Sequence, residues 1–423
     1  MRKLEGLIAF ALAVLVAVPV CGESGINSPY SRYGFGMVSD NAVGKNKAMA
    51  GMGIGMRERN VLNTLNPASY STVDTLTFLL DIGMSLSNGN FKENGVSVNA
   101  HNASFDYFAM QFRIVRNLGF TASFMPYSNV GYLFSEKQLL RRDQDGDLTA
   151  TNQYGGVGGL KVISGGLGWA PFKALSIGAD FGYIYGNVTH QIKNTYSDAT
   201  ILTRMKTYYA DLHGFKMNLG LQSAFNAFDG TFSVGAVWSP SVKFGDVGYV
   251  YDEMLDGNTS EISDTLRSYD GFSIPDKFGV GVTYSREKWM IGADVSMELW
   301  NRASVFGADG LDGRNRLKVS LGGMFQPAKN NANLFKRTAY RAGVYYNQPY
   351  FNVAGNKGPM EYGATIGMSL PIINRWNNLI EVEVSGQYAH VHPTSPGMIE
   401  ENYLRLNVGL SFNERWFAKW QVE

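Results

Sequence analysis

The last third of the chain, from Trp289 to Phe412, alternates between apolar residues and small or polar ones. The apolar face of its first run consists of Trp289, Ile291, Ala293, Val295, Met297 and Leu299. Soluble sandwiches also alternate, but here the apolar faces are long and aromatic-rich, while the opposite faces carry glycine, serine, threonine and a few charges. This pattern predicts an all-β fold, a transmembrane antiparallel β-barrel with lipid outside and a polar lumen inside.

The same two-residue period predicts about fourteen strands from residue 75 onward. They lie at 75–87, 103–115, 118–128, 159–170, 174–190, 207–225, 230–242, 275–285, 288–300, 315–326, 337–348, 359–370, 378–391 and 402–412. Their lengths match or exceed the roughly 9–11 residues of a tilted membrane crossing. Short breaks such as 116–117 alternate with long polar ones, at 129–158, 191–206, 243–274, 301–314 and 392–401. We therefore expect short periplasmic turns and long external loops, as in the outer membrane of Gram-negative bacteria.

Residues 1–22 have the features of a signal peptide. Arg2 and Lys3 form a positive n-region, an apolar h-region runs from Leu7 to Val20, and cleavage is predicted after Gly22. The alternatives are a membrane anchor, for which the apolar run is too short, and lipidation at Cys21. Lipidation is disfavoured because the preceding Val20 is large. If the only cysteine leaves with the leader, disulfides and cysteine catalysis are excluded.

Residues 23–74 show neither strand nor helix period and are rich in Gly, Asn, Ser and Met. Fifty such residues in front of a barrel predict an N-terminal plug or hatch segment, held inside a wide barrel or against its periplasmic mouth. The expected organisation is therefore a signal peptide (1–22), a plug or hatch segment (23–74) and a transmembrane β-barrel (75–423).

The composition of the chain limits the kinds of partner and surroundings that are expected. Charged residues make up 17% of the chain, below the roughly 25% of soluble domains. The formal net charge of +1 gives no reason to expect a nucleic-acid partner. No run of 18 apolar residues follows the leader, which excludes helical membrane spans. The expected surroundings are outer-membrane lipid.

The tripeptide Asn66-Pro67-Ala68 stands just before the first predicted strand and follows the glycine- and methionine-rich stretch 48–53. With the barrel layout, this motif resembles the FadL-type family of outer-membrane hydrophobic-compound transporters. The resemblance implies a hatch role for Asn66, Pro67 and Ala68, and passage of hydrophobic small molecules such as long-chain fatty acids. No cofactor is expected, because the run Gly51-x-Gly53-x-Gly55 lacks a preceding strand and the spacing of a dinucleotide site. From chemistry alone, Pro67 fixes its φ and Asn66 can bond backbone two residues on, so an ordinary turn into the first strand is the alternative.

Several charged positions are expected to face the lumen. Arg113, Lys318 and Arg405 could orient a carboxylate-bearing ligand there; the alternative is that such charges brace the wall or hold the plug. A carboxylate run at 143–147 has its glycine in the wrong place for a calcium loop, and the pair His390 and His392 lacks a third ligand, so no metal site is predicted.

Two functions remain open. The first is hatch-gated outer-membrane transport of a hydrophobic small-molecule ligand. The second is a structural accessory barrel within an outer-membrane secretion or protein-assembly complex. An enzyme is not expected, because no Gly-x-Ser-x-Gly motif and no Ser, His and acid grouping occurs.

Overall fold

The computed structural model describes residues 25–142, 147–245, 247–256, 259–270, 272–304, 313–328, 331–353, 355–373 and 379–415. The predicted signal peptide and most of the carboxylate run at 143–147 lie outside these residues.

Fourteen strands form the wall of the protein. They are β1 (Thr77–Glu93), β2 (Val96–Val115), β3 (Leu118–Pro126 and Ser128–Arg141), β4 (Leu148–Trp169), β5 (Leu175–Tyr196), β6 (Thr203–Ala227), β7 (Gly230–Ser239 and Val247–Asp256), β8 (Thr259–Asp270 and Lys277–Arg286), β9 (Trp289–Glu298), β10 (Arg316–Phe325), β11 (Ala339–Gln348), β12 (Met360–Ile373), β13 (Leu379–His392) and β14 (Glu400–Arg415). Neighbours in sequence pair antiparallel, and β1 pairs with β14 from Thr77 opposite Arg415 to Lys92 opposite Glu400. This last pairing closes the sheet, and the predicted 14-stranded antiparallel barrel is confirmed.

The alternation in the sequence separates the two faces of this wall. Ile291 and Ile366 point outward and are 57% and 71% exposed, as expected of side chains that face acyl chains. Residues of opposite parity in the same two strands, such as Asp294 and Thr365, point inward and are buried. No helix among the described residues is long and apolar enough to cross a membrane.

The prediction of long external loops at 129–158 and 243–274 is largely wrong. In the structure β3 and β4 continue to Arg141 and from Leu148, and β7 and β8 form a second hairpin from Val247 to Asp270. The strands β4, β5 and β6 have 22, 22 and 25 residues, far more than a membrane crossing needs. Hydrophobic alternation did not reveal these extensions, because the period is weak there and backbone hydrogen bonds between the hairpin strands hold them together.

Short elements lie inside the barrel and in its connections. The 3-10 helices are Pro29–Arg32, Gly44–Met49, Pro67–Thr72 and Trp300–Arg302, and one α-helical turn, Leu334–Arg337, lies between β10 and β11. Two-residue strands pair Met37–Val38 with Ser128 and Asn129 of β3, Val242–Lys243 with Ser273–Ile274, and Asn352–Val353 with Asn356–Lys357.

Residues 25–74, called the luminal segment below, pack against the inner wall on opposite sides. The helix Gly44–Met49 contacts β1 and β10 to β14, and the helix Pro67–Thr72 contacts β3 to β6. Between them, buried methionines of the segment meet methionines of the wall, in the cluster Met49, Met52, Met56, Met290 and Met324. The segment therefore occupies the interior that a 14-stranded barrel leaves.

Candidate functional site

The corner Asn66-Pro67-Ala68 is a capped helix start. Asn66 is the N-cap of Pro67–Thr72, and its Oδ1 accepts a hydrogen bond from the Ala68 N–H at 3.0 Å. Proline at the first helical position suits this start, because its missing N–H would be unpaired there anyway. The Asn66 Nδ2 donates to the Ile54 carbonyl at 2.9 Å and to the Leu221 carbonyl of β6 at 3.2 Å. One side chain thus caps the helix and joins it to the wall.

Glycines on the inner wall make room for this corner. A Cβ at Gly220 would lie 2.1 Å from the Asn66 Oδ1, and one at Gly178 would lie 2.3 Å from the Pro67 carbonyl oxygen. A Cβ at Gly235 would lie 2.0 Å from the Ile54 carbonyl oxygen. Any larger residue would push the luminal segment away from the wall, so these glycines fix how closely the two approach.

Asp294 of β9 holds the next stretch of the luminal segment. Its carboxylate Oδ2 accepts hydrogen bonds from the backbone N–H groups of Gly53 and Ile54, at 2.6 and 2.7 Å. The side chain is only 5% exposed. Two short charge-assisted bonds in a buried place are among the stronger polar contacts available to a protein.

Asp40 of the luminal segment enters a group of wall cations. Its carboxylate accepts from the Lys318 ammonium at 2.7 Å and lies 3.8 Å from the Arg316 guanidinium. Arg316 is also paired with Glu298 at 3.0 Å. Burial alone would raise the pKa of Asp40, but Lys318 and Arg316 outweigh it and hold the pKa at about 2. Asp40 is therefore ionised and fixed at neutral pH.

Two further ion pairs join the luminal segment to the wall. Lys45 meets Glu381 of β13 at 2.5 Å, and Lys47 meets Asp106 of β2 at 2.5 Å. Burial would lower the pKa of Lys45, yet the neighbouring Glu381 outweighs this effect and raises it. The segment is thus tied to both sides of the seam between β1 and β14.

Aromatic side chains close the end of the lumen nearest the long hairpins. The Trp300 and Tyr350 rings stack with centroids 4.2 Å apart, and Tyr33 stacks on Phe351 at 4.8 Å. The Tyr350 hydroxyl contacts the Gly36 carbonyl at 2.6 Å. Connections of the wall and the start of the luminal segment therefore share one apolar cluster.

A cavity of about 200 Å³ remains between the luminal segment and strands β1 to β3 and β10 to β14. Its charged lining consists of Asp40, Lys47, Asp106, Arg316, Lys318, Glu361 and Arg405. Two of the three predicted ligand contacts, Lys318 and Arg405, thus meet at one cavity. Arg113 is not brought there: its guanidinium donates to Thr75 Oγ1 at 3.0 Å and to the Val115 carbonyl at 3.1 Å, beside a short turn.

Sequence reasoning did not find Asp40, Lys47 or the contacting glycines. Asp40 and Lys47 lie in an aperiodic stretch, where nothing in the local pattern marks them. The glycines offered a signal, because Gly178, Gly220 and Gly235 fall on the lumen-facing side of predicted strands. Among the described residues, no group of three or more His, Cys, Asp or Glu side chains could hold a metal ion.

A closed barrel with its interior filled by an N-terminal segment defines an outer-membrane barrel of the FadL-like fold. A Pseudomonas aeruginosa FadL homologue matches with a TM-score of 0.59 and 13% identity, over 90% of this chain and 100% of that one. The CymD monoaromatic hydrocarbon channel matches at 0.58 and 13%, with the same coverage. The Ralstonia pickettii toluene transporter TbuX matches at 0.56 and 13%, over 89% and 99%.

At these identities the likeness establishes the fold alone. The family model described as BamG matches residues 3–423, so the chain belongs to the BamG family. The resemblance to the FadL-type family is thus confirmed for the fold, while the family itself is a different one. Among proteins with curated descriptions, none matches the chain.

Proposed function

We propose that this protein is a non-conducting, structural barrel subunit of an outer-membrane protein complex. The observation that carries the proposal is the fixed filling of the lumen. Asn66, Asp294, Asp40, Lys45 and Lys47 each tie the luminal segment to the wall through hydrogen bonds or ion pairs. A segment that opens for cargo would have to break several of these contacts together.

The character of the remaining space supports the same proposal. Sites for apolar small molecules are mostly apolar and about 300–1,000 Å³ in size. The cavity here is about 200 Å³ and carries seven charged side chains. It offers poor accommodation for a long acyl chain.

The long hairpins supply surface for partners. Strands β9, β10 and β11 have ten residues each, so that side of the wall ends close to the membrane. The second parts of β3, β7 and β8 pair with the long β4 to β6 as one continuous sheet beyond that level. A sheet projecting from one side of a barrel suits contact with another surface-exposed protein.

A second candidate is hatch-gated passage of hydrophobic small molecules, the class that includes long-chain fatty acids. The fold likeness favours it, since the matched structures include a toluene transporter and a monoaromatic hydrocarbon channel. In this case Asn66, Pro67 and Ala68 would belong to the moving hatch, and Lys318 and Arg405 would contact the ligand.

Locking the luminal segment to the wall separates the two candidates. The side chains of Asp40 and Lys318 touch, so the double variant Asp40→Cys and Lys318→Cys can be bridged with a short thiol-reactive cross-linker. The same double variant without the cross-linker is the control. We expect the bridged protein to co-purify in mild detergent with the same partners as the control, and labelled fatty acid uptake to be equal with and without the gene. Uptake that depends on the gene and stops on bridging would overturn the structural proposal in favour of transport.

A further inference from the structure

Arg405 is a cation without a protein acceptor in the part of the chain that the structure describes. Its guanidinium lines the cavity and stacks on the Tyr403 ring, with Cζ 4.8 Å from the centroid. Arginine carries five N–H donors and cannot shed its charge. Glu361, a carboxylate of the same lining, already accepts hydrogen bonds from the Tyr345 hydroxyl at 2.6 Å and from Asn347 Nδ2 at 2.9 Å.

The other cations of the lining are paired. Lys47 binds Asp106, Lys318 binds Asp40, and Arg316 binds Glu298 behind the lining. The lining itself holds four cations and three carboxylates, so one positive charge is in excess. Arg405 is the cation left without a carboxylate partner among the described residues, and it lines the open space of the cavity.

We propose that Arg405, with Lys318 and Arg316 across the cavity, binds an oxyanion of the phosphate class inside the barrel. Guanidinium groups match such anions with two parallel hydrogen bonds, and lysine adds a point charge. Asp40 already places one carboxylate between Arg316 and Lys318, so the N–H groups of these cations are directed at anionic oxygens in this geometry. The anion is expected to compete with Asp40 for them.

The surroundings favour a compact polar anion over the head of a long fatty acid. Ser87 of β1 and Gln387 of β13 stand opposite Arg405 in register, and both line the cavity. The Gln387 Nε2 donates to the Tyr345 hydroxyl, which keeps this side of the cavity polar. A tetrahedral oxyanion can accept from several directions at once, whereas an acyl tail would need an apolar continuation. The proposal is independent of the structural function proposed above.

The test is equilibrium binding of inorganic phosphate to purified mature protein in detergent, at ionic strength held constant with chloride. Arg405→Gln removes the acceptor-free cation, and Arg113→Gln is the matched control outside the cavity. We expect saturable binding that Arg405→Gln weakens at least about tenfold, the loss of one charged hydrogen-bond pair. Arg113→Gln should bind as the unmodified protein does. Asp40→Asn should bind more tightly, because it removes the competing carboxylate.

A second probe, short-chain phosphatidic acid below its critical micelle concentration, distinguishes a lipid headgroup from free phosphate. Binding of either probe that depends on Arg405 supports the site, and the tighter probe identifies the source. The proposal is overturned if neither probe binds saturably, or if Arg405→Gln, shown to be folded by its unboiled electrophoretic mobility, binds as well as Arg113→Gln. Weaker binding in Asp40→Asn would overturn the competition with Asp40.

Discussion

Removing the Asp294 carboxylate should release the stretch of the luminal segment around Gly53 and Ile54. Both backbone N–H groups donate to the same carboxylate oxygen, at 2.6 and 2.7 Å, and the site is buried. In Asp294→Ala both donors lose their acceptor. In Asp294→Asn the amide oxygen can still accept these hydrogen bonds, but it carries no charge.

The size of the effect follows from the two bonds. A hydrogen bond to a charged group contributes about 1.5–3 kcal/mol, so two contribute about 3–6 kcal/mol. In Asp294→Ala, water that enters the space of the missing side chain would restore part of this hydrogen-bond free energy. The expected net loss of stability is therefore about 3 kcal/mol. For local opening of the segment, that is about a 100-fold change in the equilibrium constant. Asp294→Asn should lie between, at about 1–2 kcal/mol or roughly tenfold.

Amide hydrogen exchange read by mass spectrometry measures this opening directly, on a peptide that spans residues 50–60. Asp252→Asn is the control, because its pair with Arg204 lies on an exposed extension where ion pairs contribute about 0–1 kcal/mol. Exchange of the peptide in Asp294→Ala within about threefold of the unmodified protein would refute the claim that this carboxylate holds the luminal segment.

Two further outcomes test the same attachment. Gly220→Val should displace Asn66 and destabilise the corner by about 2–4 kcal/mol through overpacking and lost hydrogen bonds, seen as faster exchange of residues 66–72, while Gly386→Ala, whose Cβ would meet nothing within 4 Å, should leave it unchanged. Equal exchange in both variants would contradict the close packing. The pKa of Asp40 is held at about 2, below its ordinary value, so Asp40 stabilises the fold above about pH 4 and loses this effect as the pH falls towards 2. Thermal midpoints against pH should therefore fall less steeply between pH 4 and 2 in Asp40→Asn, and parallel curves would contradict the pairing with Lys318.

The wall of the barrel was predictable because the two faces of each strand lie in different environments, and the residue types alternate accordingly. Ile291 and Ile366 face outward and Asp294 faces inward. A two-residue period therefore identifies the strand and also shows which of its side chains point to lipid. The count of fourteen strands followed from this pattern. Beyond the predicted strand ends the two-residue period is weaker, although the hairpin hydrogen bonds continue.

The site was predictable only in part. Alternation placed Lys318 and Arg405 towards the lumen, but their meeting at one cavity depends on how the sheet closes between β1 and β14. Asp40 could not be found, since its partners are nearly 280 positions away and its own stretch has no period. Arg113 was expected in the lumen on the same basis, yet it lies next to a turn, where a side chain at a strand end reaches backbone and Thr75 instead.

Ion conductance across a planar bilayer tests the central claim, that the luminal segment seals the barrel. A 14-stranded wall is wider than the roughly eight-stranded barrels that side chains alone fill, so deletion of residues 25–74 should leave an open pore as the reference. The intact protein is predicted to add no sustained conductance over a protein-free bilayer. A steady conductance of the intact protein that matches the deletion variant would contradict the account.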